Sequence, residues 1–163
     1  MAYLFFVQRL SLKDLAHLHL LKYLEPNHIL ALDRIQDPGN LGNLFRSALA
    51  AEYEIIWLAS GADPLNQKVL RSSAGSVLHL PFERIGDSSI SSIEILVSKL
   101  NIAIDNNYQI VGTISPNKVT DKEVKPYWDL DWNVPTILVL GNEGSGVVIE
   151  AGANAQNLLG KVV

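Results

Sequence analysis

Five short apolar runs separated by segments of helical periodicity predict an α/β fold with a mainly parallel, doubly wound sheet. The runs are residues 29–32, 54–58, 77–80, 108–113 and 135–140. Polar or Gly-bearing connectors follow Leu32, Val111 and Leu140, and in such a fold all three leave the carboxyl edge of the sheet. That edge is where open α/β sheets hold their ligands.

The composition sets outer bounds. With 48% hydrophobic and 18% charged residues the chain is not intrinsically disordered, and 163 residues suffice for about one domain. The absence of cysteine excludes disulfides and thiolate metal sites and fits a reducing compartment. A net charge of −4 argues against strong nucleic-acid binding by the chain as a whole, leaving a local basic site or one shared across a dimer. The YLFFV run is too short for a signal core and has no basic residue before it. No stretch approaches the ~20 apolar residues of a membrane span. A cytoplasmic protein without membrane contact is expected.

Taken in order, residues 11–24 form an apolar helix pattern through Leu12, Leu15 and Leu18, opened by Ser11 and Asp14 at capping-box spacing and stopped at Pro26. His17 and His19 lie two apart, so they cannot share a helix face as metal ligands. Residues 1–27 are therefore read as an N-terminal helical extension. Strand 29–32 leads through Asp37-Pro38-Gly39-Asn40 into a helix pattern on Leu41, Leu44, Phe45, Ala48 and Leu49. Asn40 is expected to cap that helix, Gly42 to leave room for another molecule, and Arg46 to stand near a helix mouth suited to an anion. After strand 54–58, Asp63-Pro64 predicts a second helix to about Ser73, broken at Ala74-Gly75 before strand 77–80. A helix over about 93–104 and the last two strands follow, with Trp128 and Trp132 between them expected to pack rather than to stack on bases.

The chemistry-bearing patterns are few. There is no phosphate loop ending in Gly-Lys-Ser/Thr, no Gly-x-Gly-x-x-Gly after the first strand, no Gly-x-Ser-x-Gly elbow and no zinc spacing among the four His residues. What remains is Gly141-Asn142-Glu143-Gly144-Ser145-Gly146 after the last strand, together with Asn40 and Arg46. Residue types alone also suit a capped helix with an exposed Arg and a glycine turn with a solvated Glu.

DPGNLGNLFRSALA and LVLGNEGSGV together resemble the first and second motifs of the SpoU-type RNA ribose 2'-O-methyltransferases of the SPOUT superfamily. The intervening DPLNQKVLRSSAGSVLHLPF is similar to the segment those enzymes carry between the two, so the resemblance covers roughly residues 28–147. It implies methyl transfer from S-adenosylmethionine to a ribose 2'-hydroxyl of tRNA or rRNA, a homodimer, a trefoil-knotted α/β domain and no metal. It places Asn40, Arg46 and Glu143 at the catalytic centre, and Gly141, Asn142, Gly144, Leu140 and Thr113 around the cofactor. The family's third motif, a Ser-Leu-Asn turn after an apolar strand, has no counterpart in VVIEAGANAQNLLGKVV, so residues 148–163 read as an atypical short tail. An incomplete knot and weak cofactor binding are the expectations there. The rival readings are a non-catalytic RNA-binding or dimerising remnant of the family and an unrelated nucleotide-binding α/β domain.

Overall fold

A computed structural model describes residues 26–86, 89–113 and 127–141. They form one five-stranded sheet in the order β3-β2-β1-β5-β4, with every neighbouring pair parallel. The elements run β1 (His28–Asp33), α1 (Pro38–Ala50), β2 (Ile55–Ala59), α2 (Gln67–Ser72), β3 (Phe82–Ile85), α3 (Ser89–Asp105), β4 (Gln109–Gly112) and β5 (Thr136–Gly141). The mainly parallel, doubly wound α/β class is as predicted.

β1 is the central strand because it is apolar on both faces. Its Leu30 and Leu32 join Leu41, Phe45 and Ala48 of α1, Val69 of α2, and Ile56 and Leu58 of β2. Its Ile29 and Ala31 join Leu96, Leu100 and Ala103 of α3, with Ile110, Ile137 and Val139 of the two following strands. Side chains alternate across a strand, so a run of consecutive apolar residues requires cover on both sides. Phe45 meets Phe82 edge to face at 5.7 Å, tying α1 to the third strand.

Three local expectations are corrected. Residues 77–80 are not a strand: Ser76–Leu78 is a 3-10 helix, and the third strand begins at Phe82. Ala74 and Gly75 both adopt positive φ, which turns the chain so that Val77 and Leu80 bury at a spacing of three rather than alternating. Pro81 cannot donate to a ladder, but its carbonyl accepts from Ile56 N (2.9 Å) and opens the pairing of β3 with β2. The second helix starts at Gln67 with Asn66 as its cap, because the Asp63 carboxylate accepts from Leu65 N (3.1 Å) and closes a turn instead. Trp128 is 69% exposed and so is not a packing residue of the described core, whereas Trp132 is half-buried and its carbonyl bonds to His28 Nε2. The helix pattern of 11–24 lies outside the described residues, as does the tail.

Candidate active site

The carboxyl ends of β1 and β5 are adjacent and in register, Leu32 opposite Leu140 and Asp33 opposite Gly141. β1 leads outward to β2 and β3, while β4 and β5 lie on its other side, so the order of winding reverses at this pair. A switch point of this kind opens a crevice at the strand ends. On the far side of β5, Gly112 pairs with Val139 and is followed by exposed Thr113. The three connectors singled out in the sequence therefore leave the sheet side by side. Leu140 packs toward the α1 layer. Asn142, Glu143 and Gly144 lie outside the described residues.

The entry to α1 differs from expectation in a way that changes its chemistry. Asp37, not Asn40, is the N-cap; its Oδ1 accepts from Asn40 N (2.8 Å), and Pro38 takes the first helical position. Lys68 Nζ reaches the other oxygen at 3.0 Å. The hydrogen bond from Asn40 N, with Lys68 next, holds the Asp37 carboxyl below its usual value. A carboxylate thus already occupies the helix mouth, and an external anion has no place there. Asn40, Asn43 and Arg46 are instead exposed, spaced three apart along the solvent side of α1. Side chains at that spacing are neighbours on a helix surface. No described carboxylate pairs with Arg46.

The segment between the two motifs braces this helix. Ser72 Oγ contacts the carbonyl oxygens of Lys68 (2.8 Å) and Pro38 (3.2 Å). Gly42 is buried against it: a Cβ there would stand 1.9 Å from Ser72 Oγ and 2.8 Å from Ser73 N. The expectation that Gly42 makes room for another molecule is corrected, since the molecule it admits is the chain's own α2. Lys68 and Asp37 are about half exposed, so solvent screens their ion pair and it braces the helix weakly. The close helix contact is the stronger brace.

Sequence reasoning missed Asp33 and Arg34. Asp33 ends β1 with only 1% of its side chain exposed, and its carboxylate takes Nε (3.0 and 3.1 Å) and one terminal nitrogen (2.8 Å) of Arg34. That hydrogen bonding raises the Arg34 pKa further. Burial of Asp33 makes this pair, unlike a surface pair, costly to break by removing Arg34, which is itself only partly buried. The available signal was an acidic residue placed directly after four apolar strand residues.

Among the described residues no group of His, Asp and Glu is placed to hold a metal, and no helix is long and apolar enough to cross a membrane. The description of the matching family model, SpoU rRNA Methylase family, fits residues 27–160. A doubly wound parallel sheet with two connectors converging on its switch point is the class, and the chain belongs to that family. It is 39% identical over 119 residues to an uncharacterized tRNA/rRNA methyltransferase of Synechocystis, covering 72% of this chain and 38% of the relative. It is 34% identical over 120 residues to the Bacillus subtilis 23S rRNA (guanosine(2553)-2'-O)-methyltransferase RlmP, covering 73% and 42%. The chain thus spans about two-fifths of the length of these curated relatives. An rRNA methyltransferase from Sinorhizobium meliloti superposes with a TM-score of 0.58 at 28% identity, over 78% of this chain and 49% of that one. The SpoU methyltransferase AviRb from Streptomyces viridochromogenes, in complex with the cofactor AdoMet, gives 0.53 at 27% identity over 80% and 55%.

Proposed function

We propose that this chain carries the core of an S-adenosylmethionine-dependent RNA methyltransferase acting on a ribose 2'-hydroxyl of tRNA or rRNA, with residues 28–147 as its methyltransferase unit. The observation that carries the reading is the register of Asp33 with Gly141, which sets the two motif connectors side by side. The cofactor AdoMet in AviRb and the 2'-O in the name of RlmP support the donor and the acceptor atom. Gly141 has no side chain at the carboxyl end of β5 and Thr113 is exposed just past the end of β4, so the strand ends suit a ligand that lies against backbone. Leu140, Gly141, Asn142, Gly144 and Thr113 would hold the cofactor, which supplies an activated methyl group when bound.

The protein side of the reaction falls to Asn40, Arg46 and Glu143. A ribose hydroxyl is a weak nucleophile, so the chain must align it and ease its deprotonation. Arg46, without a carboxylate partner among the described residues, stands on the solvent side of α1 and binds an RNA phosphate; its delocalised guanidinium makes it an orienting cation rather than a base. Asn40, six residues nearer the sheet edge, donates or accepts at the ribose. Glu143 takes part from the second connector. In a homodimer a local basic site could be shared across the two chains, although each carries a net charge of −4.

Transfer of a labelled methyl group from S-adenosylmethionine to total tRNA and rRNA, with the product nucleoside identified by mass, tests the reading. Wild-type chain is expected to yield a 2'-O-methylated nucleoside, and Arg46→Ala to lose about a hundredfold in kcat/KM, the scale of a misaligned acceptor. A base-methylated product would overturn the acceptor assignment. RNA binding with no transfer by wild-type chain would favour the non-catalytic reading.

A further inference from the structure

We propose that Asp33 and Arg34 form a positioning unit that locks the exit of β1 in a left-handed bend and thereby sets where α1 and its Asn40–Arg46 stripe stand; this rests on the function proposed above. Among the described residues five non-glycine ones have positive φ: Arg34, Glu52, Ser60, Ala74 and Asn107. Glu52, Ala74 and Asn107 follow the three helices, where one left-handed residue is a common helix stop. Arg34 and Ser60 are different, because each follows a strand at the carboxyl edge. Asp33 and Ala59, the residues just before them, are partners in register.

The two bends keep the departing chains bonded to one another. Arg34 N donates to Ala59 O (3.0 Å), and Ala62 N donates to Ile35 O (2.8 Å). Gly61, at φ +106°, lets the second chain lie against the first; a Cβ there would meet Ile35 O at 2.5 Å. An arginine gains nothing from a left-handed backbone, which is unfavourable for residues with a Cβ. What holds it there is its own guanidinium, folded back onto the buried Asp33 carboxylate by three contacts. An apolar pair would serve stability equally well at such a place, so the ion pair is explained by the conformation it selects. Only residues 34–37 separate Asp33 from the first residue of α1, and Pro38 fixes its own φ. A changed dihedral at Arg34 is therefore passed to the helix with little slack to absorb it. Of the charged pairs described, this is the one with a partner almost wholly out of water.

The test uses the full chain carrying D33L together with R34G. Glycine accepts the bend without strain, leucine leaves no unpaired charge, and the lock is gone. The variant is expected to unfold at about the wild-type midpoint, to lose roughly tenfold to a hundredfold in kcat with little change in KM for RNA, and to move the backbone amide signals of residues 39–46. A structural role alone would change the midpoint and leave the kcat-to-KM split and those signals as they were; wild-type kcat with unmoved signals overturns the inference. Should the double variant fail to fold, R34K decides. Lysine keeps the charge but not the fork, so a smaller kcat loss with the same amides moving supports the lock, and wild-type behaviour overturns it. Should wild-type chain transfer no methyl group, the proposed function fails, and the amide signals alone decide the positioning claim.

Discussion

The two layers covering the sheet are held by different means. The α3 layer is apolar attachment: Leu96, Leu100 and Ala103 sit on Ile29, Ile110 and Ile137, while Ile95 and Ile102 remain exposed. Toward the amino ends of the strands it leaves a cleft of about 360 Å³ bordered by Pro26, Trp57, Lys99, Ile102 and Tyr108. Lys99 lies over the Trp57 ring at 4.5 Å and pairs with Glu83, polar contacts that join side chains and direct no backbone. The α1 layer has a similar apolar base, but its carboxyl-edge end is also fixed through backbone, by the Asp37 cap, the Ser72 contact to Pro38 O, the Gly42 seat and the paired bends at Arg34 and Ser60. Apolar burial is non-directional and gives stability; directional bonds to backbone give position. The motif residues emerge where position is controlled.

That contrast can be broken from either side. Leu100→Ala, in the fully buried middle of α3, is expected to cost about 3 kcal/mol in denaturant unfolding. At temperatures where the variant remains folded its kcat should equal wild type, because Asn40 and Arg46 stand on α1, which packs on the other face of the sheet. Gly42→Ala is expected to cost less, about 2 kcal/mol, yet to lower kcat, since the added methyl drives α1 from α2 at the Ser73 backbone. Equal kcat losses in the two variants would show that the layers are not functionally distinct. The smallest effect concerns the cap. Asp37 has a pKa lowered from the ordinary 3.8, so its contribution is present above that value and is lost as the pH falls through the lower, folded-state value. The difference in melting temperature between wild type and Asp37→Asn should accordingly be constant from pH 7 to 5 and shrink below about pH 4. A difference that grows on acidification would contradict the capping role.

The apolar runs were enough to place four of the five strands, because strands buried on both faces leave an uninterrupted hydrophobic signal. The run at 77–80 misled, since Val77 and Leu80 are as buried as strand residues and only the left-handed backbone at Ala74 and Gly75 separates the two outcomes. At the site, the types of Asn40 and Arg46 were legible, but the capping role went to the wrong residue. Asp37 and Asn40 are both good caps, and the choice between them follows from Pro38 at the first helical position. Asp33 and Arg34 were invisible as a pair because adjacent residues on a strand normally face opposite ways. Only a positive φ folds one back onto the other.

The central claim is that ligand chemistry belongs to the carboxyl edge at Asp33 and Gly141 rather than to the cleft under α3. Titrating the isotope-labelled chain with S-adenosylmethionine while following backbone amide signals tests it directly, and registers even weak binding. The expected result is concentration-dependent shifts at Thr113, Leu140 and Gly141, reaching Asp33 through the β1–β5 register, with Ile29, Ile55 and Tyr108 unmoved. Shifts confined to Ile29, Ile55 and Tyr108, with Gly141 silent, would contradict it.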